Sequence, residues 1–259
     1  MSEISVAWLL ALGLFIGILI LLETGRRIGD RRFRRDPDGA RAGTGAVEGA
    51  IFGLVGLLIA FTFSGATARF DDRRELIVQE SNAIGTAYLR LDLLPESARE
   101  TMQEHFRRYL DARIEGYRKL PDVEAARVVL TQANAMQGKI WTAVIAAAHG
   151  EGASPDALKL LLPALNDMFD ITTTRTNATA IHPPTIIYGM LVILMLASAL
   201  MAGYGMAGSK GRPWLHIFAF AIVMALAVYI IIDIEYPRLG LIRVEGFDQA
   251  LMNLRAGMK

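Results

Sequence analysis

Cysteine is absent from the sequence, which excludes disulfides, thiolate metal sites and a cysteine nucleophile, and suits either redox environment. Histidine is scarce. The 4 residues His105, His149, His182 and His216 have no metal-like spacing to one another or to carboxylates, so each reads as a surface or packing side chain. There is no phosphate loop, no G-x-S-x-G elbow, and no kinase or dinucleotide fingerprint. The glycine-rich "GTGAVEG" precedes an apolar run instead of a strand–helix unit. No segment alternates with the period of a strand, and no internal repeat occurs. An enzyme is not expected, and no cofactor or metal is called for. Neither sign of charge dominates, with 27 Lys and Arg against 26 Asp and Glu, so global charge names no nucleic-acid partner.

What the chain does have is four long apolar runs with its charges gathered between them. They are Ile4–Leu22, Val47–Ala68, Thr185–Ala207 and Trp214–Ile232. At about 1.5 Å per helical residue each is long enough to cross a bilayer core. The first run lacks the basic start, short apolar stretch and small-residue cleavage site of a signal peptide, and is expected to be a retained span. The last two are joined only by "GSKGRP", a turn by composition, and are expected to form a transmembrane hairpin. The fold class is therefore all-α: an integral, multi-pass membrane protein with four transmembrane helices and a helical bundle inserted between the second and third. Its expected parts are 1–68 (two spans and an Arg-rich loop), 69–182 (the extramembrane helical domain), 183–236 (the hairpin) and 237–259 (a C-terminal tail).

The loop between the first two spans holds seven Arg against four acids, and the hairpin turn carries Lys210 and Arg212. Basic short loops stay in the cytoplasm. With an even number of spans, that rule places the helical domain on the opposite side.

No proline or turn cluster interrupts the chain from Val47 to Leu94, although "IAFTFSGATARFDDRRELIVQE" (59–80) runs from apolar into densely charged. Steps of seven from Gly49 reach Gly56, Phe63, Phe70, Ile77, Ile84 and Leu91 without loss of phase. Gly85 alone costs about 1 kcal/mol and need not break a helix. One helix is expected to leave the bilayer and continue into water. Its heptad stripe needs a partner, either another helix of the same subunit or the same helix of neighbouring subunits. In the membrane, Gly45, Gly49, Gly53 and Gly56, continued by Ala60 and Ser64, form a small-residue ridge that permits close helix approach. Beside it lie Phe52, Ile59, Phe63 and Phe70, read either as buried packing or as the apolar constriction of a pore. Val47, Leu54, Leu58 and Phe61 lie roughly opposite and suit lipid.

The polar domain reads as three further helices. The first follows Pro95, with Met102, Phe106, Tyr109, Leu110, Ile114 and Tyr117 on its apolar face. The second is capped by Asp122 and buries Val129, Ala133, Met136, Ile140, Val144 and Ala147. The third starts at Ser154-Pro155 and presents Leu158, Leu161, Leu162, Leu165, Met168 and Phe169, with "DITTTRTNATA" as its last turns. At the membrane rim, Asp233 and Glu235 follow the fourth apolar run directly. Carboxylates at that depth are costly and usually paired. A rim network with Arg69, Arg73, Arg74 or Arg238 is one expectation; snorkelling charges that anchor helix ends are the other.

Two long motifs, "FTFSGATARFDDRRELIVQESNAIGTAYLRLDLLP" and "DIEYPRLGLIRVEG", resemble the bestrophin-like family of bacterial membrane proteins, a likeness that covers nearly the whole chain. The family is distantly related to the bestrophins, which are homopentameric anion channels with four spans per subunit. They carry a helical domain after the second span and an aromatic hydrophobic neck on the second helix. The resemblance implies that the neck maps to Phe52, Ile59 and Phe63, that the partners are the bilayer, further copies of the chain and a small inorganic anion such as chloride, and that the protein resides in the bacterial inner membrane. It also implies a cytosolic helical domain, against the reading of the Arg-rich loop, and no acidic calcium clasp of the animal members is present. Two functions follow: an ion-conducting homo-oligomer with the second span along its axis, or a non-conducting sensor or scaffold whose helical domain binds a partner.

Overall fold

The computed structural model describes residues 3–36, 44–154, 156–209 and 211–258, and all regular structure among them is helical. The helices are α1 (Glu3–Arg35), α2 (Thr44–Leu89), α3 (Glu96–Arg118), α4 (Val123–Ala148), α5 (Ala157–Ala180), α6 (Thr185–Gly205), α7 (Trp214–Glu235) and α8 (Gln249–Gly257), with a 3-10 turn at Arg90–Leu93 after α2. Among these residues, 4 stretches are long and apolar enough to cross a membrane, within Val6–Arg35, Gly45–Leu93, Ala157–Gly205 and Trp214–Glu235. The chain divides into two compact units. One comprises Met1–Ala68 with His182–Tyr236, the other Arg69–Ile181 with Pro237–Lys259.

In the membrane unit, α1 packs along both α6 and α7, so both arms of the hairpin are held by the first span. Glycines permit this. A Cβ at Gly25 would collide with the Leu200 carbonyl oxygen, and one at Gly203 with the carbonyl of Leu22. Gly29 is also close, against Tyr204 and Ala207. Small residues that let backbones touch are how helices associate where lipid is as apolar as leucine. Further along, Trp8 lies over Tyr229 with ring centroids 4.3 Å apart. α1 does not stop with its apolar run at Leu22 but continues to Arg35, because nothing between them breaks a helix. The hairpin turn is closed by Gly208, whose φ of 77° only glycine adopts readily. Lys210 lies outside the described residues.

In the helical unit, the aqueous half of α2 is the central element. Ile77, Ile84 and Leu91 are at most 1% exposed and share one core with Phe106, Tyr109, Leu110, Ile140, Leu161 and Leu165. Each such side chain contributes about 2 kcal/mol by its burial. The expected apolar faces of α3, α4 and α5 all turn to this core, by way of Met102 and Ile114, Ala133 and Val144, and Met168 respectively. The heptad partner in water is thus the same subunit. α4 opens as read, with the Ala125 N–H donating to Asp122 Oδ1 at 3.0 Å. α5 begins later than Ser154-Pro155 would place it, at Ala157, and accommodates Pro163 within the helix; Pro155 is outside the described residues. The tail folds back as α8, with Leu251 fully buried and Leu254 Cδ1 in position to meet a Cβ at Gly85 at 3.3 Å.

Candidate functional site

α2 is a single uninterrupted helix that belongs to both units, and its membrane half has three faces. Val55, Thr62 and Ala66 are buried in the subunit, spaced four and seven apart as one helical face requires. Phe52 belongs at the edge of this face, edge-on to Phe220 of α7 at 6.3 Å. A second face carries Gly45, Gly49, Gly53 and Gly56, and a Cβ at any of the four would meet nothing within 4 Å. Phe63, 44% exposed, borders it; Ile59 is half-buried on the inner side. The third face, Val47, Leu54 and Phe61, is exposed and apolar. Phe70 lies outside the membrane unit and packs against the helical core. The four aromatic and aliphatic residues read as one stripe therefore separate, with Phe52 and Phe70 engaged inside the subunit and Phe63 bare. The glycine ridge is likewise not the ridge used for packing within the subunit; that part falls to Gly25, Gly29 and Gly203.

Where α2 passes through the helical unit it holds a buried charge. Glu80 is 0% exposed on the same face as Ile77 and Ile84. Its carboxylate accepts from Arg113 Nε at 2.6 Å and from Arg175, so α2, α3 and α5 converge on one anion. Arg113 also donates to the Tyr117 hydroxyl at 2.7 Å. The Tyr117 ring is faced by Arg175 at 3.9 Å and by Arg238 at 4.7 Å. Arg238 in turn forms a bidentate pair with Asp248 at 2.7 and 2.8 Å. Beside the cluster, Tyr109 shares the Gln137 amide with Thr172; burial pushes its phenol up to about 12, with Arg113 opposing. The cluster ties α2 to α3, α5 and the tail. It has no water-exposed nucleophile, and its chemistry is that of a lock.

The sequence marked other charges. Arg73 donates to the carbonyls of Ala178 at 3.1 Å and Ile181 at 3.0 Å, capping the negative end of α5. Arg74 pairs with Asp71 at 2.9 Å and lies over the Phe247 ring at 4.0 Å. Arg69 is half-buried. In the membrane unit, Asp233 accepts from the Tyr229 hydroxyl at 3.3 Å, and Glu235 lies 3.4 Å from Nδ1 of His182, whose ring stacks on Tyr236. His182 and Tyr229 as partners of these acids were missed from the sequence, as were Glu80, Arg113 and Arg175 of the buried cluster; Arg238, expected at the rim, pairs with Asp248. The signal for the cluster was present: Glu80 and Arg113 are charges at positions that their apolar neighbours mark as inward.

Four apolar helices, an inserted helical bundle and one helix shared between them define an all-α membrane fold. Residues 12–246 match the family described as the bestrophin-like domain, so the chain belongs to the bestrophin-like family. Among solved structures it is similar to a tryptophan-to-alanine variant of a bacterial bestrophin homologue from Klebsiella pneumoniae. The TM-score is 0.63 at 12% identity, over 95% of this chain and 98% of that one. It is also similar to a proline-to-alanine variant of a membrane protein, with TM-score 0.56 at 14% identity over 93% and 98% of the two chains. Comparison with curated proteins gives no match.

Proposed function

We propose that the protein is a homo-oligomeric ion channel of the bacterial inner membrane, with α2 lining a central axis and Phe63, flanked by Ile59, forming an apolar constriction. Five subunits and passage of a small inorganic anion such as chloride follow by family analogy. One observation carries the reading. Only 6% of the most apolar stretch of α2 is buried in the subunit, against 22%, 28% and 39% for the other three spans, and the bare surface includes four glycines. Glycine facing lipid contributes little, whereas glycine facing another helix permits close approach. A ring of phenylalanines beside that contact would repel water and gate by dewetting. Phe52 and Phe70 have partners in the subunit and are assigned supporting roles.

Chloride efflux from liposomes containing the purified protein tests this. Wild type should conduct, and Phe63→Ala should raise the flux several-fold by removing the constriction. A well-folded oligomer that passes no small anion or cation would overturn the reading in favour of a non-conducting sensor or scaffold.

A further inference from the structure

The channel reading leaves the Arg-rich end of α1 without a role, although it is part of a rigid helix. α1 runs past Leu22 to Arg35 without a break. At about 100° per residue, Arg27, Arg31, Arg34 and Arg35 share an arc of about 100°. That arc lies opposite Leu22, Gly25 and Gly29, the residues seated against α6. All four arginines are exposed.

Of the nearby acids, Glu23 engages the stripe at Arg27, and Asp30 faces the hairpin turn. Asp30 accepts from the Gly208 amide at 2.8 Å, and Glu23 is shared between Arg27 at 2.8 Å and Arg212 at 3.1 Å. Arg34 uses its Nε on the Asp30 carbonyl at 3.3 Å. Among the described residues Arg31 and Arg35 have no ion pair. The stripe is also held in place: Arg26 donates to the carbonyls of Ser209 and Gly211, both at 3.3 Å, fixing the extension to the hairpin turn.

We propose that this stripe is a binding site for the phosphodiester headgroups of anionic phospholipids in the adjoining leaflet. The helix emerges from the bilayer, so the first arginine stands at headgroup level: about 7 Å beyond the hydrocarbon edge for Arg27 and about 13 Å for Arg31, at 1.5 Å per residue. Helical side chains lean toward the N-terminus, which here is the membrane, so the guanidiniums reach back toward the phosphates. Arg34 and Arg35 stand further out and act across about a Debye length of ~8–10 Å. A guanidinium fork matches two phosphate oxygens, which favours this partner over a zwitterionic surface whose choline group repels it.

The full-length protein is incorporated into nanodiscs of phosphatidylcholine with a minority of phosphatidylglycerol, and the lipids retained per chain are counted by native mass spectrometry. Wild type should enrich phosphatidylglycerol roughly fivefold or more for each arginine near the surface, and the enrichment should fall at high salt. R27Q/R31Q should lose most of it, R34Q/R35Q a smaller part, and R127Q/K159Q, which removes exposed cations from the helical bundle, none. Undiminished enrichment in R27Q/R31Q, or an equal loss in R127Q/K159Q, would overturn the proposal. So would displacement of the retained lipid by millimolar glycerol phosphate, since the site would then bind soluble phosphate and not a membrane surface. None of these readouts depends on conduction.

Discussion

Glu80 sits where its neighbours Ile77 and Ile84 mark the position as apolar, and the two guanidiniums of Arg113 and Arg175 compensate its desolvation. Removing one partner of such a group leaves a buried charge unmatched, at a cost of about 3–5 kcal/mol. Glu80→Leu, which leaves both guanidiniums unmatched, should therefore destabilise the helical unit by that amount, followed by circular dichroism. An apolar triple, Glu80→Leu with Arg113→Met and Arg175→Met, should recover much of the loss, because it deletes the charges together. Tyr109 provides a pH signature. Its phenol, raised from 10.0 to about 12, favours the folded state fully below pH 10. That contribution, up to about 2.7 kcal/mol at 1.36 kcal/mol per unit, is lost as pH rises through about 12. Tyr109→Phe should flatten the decline between pH 10 and 12, followed by melting temperature; an unchanged slope would refute the assignment. The sequence does place Glu80 and Arg113 on inward faces. It does not show that they meet, because the helices bearing them are brought together only by the packed core.

At the scale of the element, α2 could be read as one continuous helix, although it runs from Thr44 to Leu89 and closes in a 3-10 turn instead of reaching Leu94. The heptad continues from the bilayer into water, and no proline occurs before Pro95. What the heptad packs against could not be read, since an apolar line looks the same whether it meets its own subunit or a copy. The structure resolves the aqueous half in favour of the subunit core. For α1 the sequence marks only the apolar run Ile4–Leu22, because hydropathy marks the bilayer and not the helix. The helix persists to Arg35 because Gly25 and Gly29 pack directly on α6 and Asp30 fastens its outer part to the hairpin turn. The two glycine sets give opposite expectations. Gly25→Leu should disrupt the membrane unit by about 3 kcal/mol or more, since its side chain has no space. Gly53→Leu should leave the subunit folded, because nothing stands near it, yet should reduce the oligomer to smaller species by light scattering. Retention of full assembly in Gly53→Leu would remove that ridge from the interface.

For the whole molecule, the four spans and the inserted bundle were legible because membrane length and the 3.6-residue period are strong signals over long stretches. The two compact units and their shared α2 agree with that reading. Function was less legible, because a pore of the kind proposed is a property of several copies, and one chain would carry only a fraction of it. The charge clusters were hidden for a related reason, since their members lie far apart in sequence. An electron cryomicroscopy map of the full-length protein in nanodiscs tests the central claim most directly. The expected result is a symmetric ring in which the Gly49–Gly53–Gly56 face of α2 meets neighbouring copies and Phe63 narrows an axial path. A single subunit, or a ring with that face turned to lipid, would contradict it.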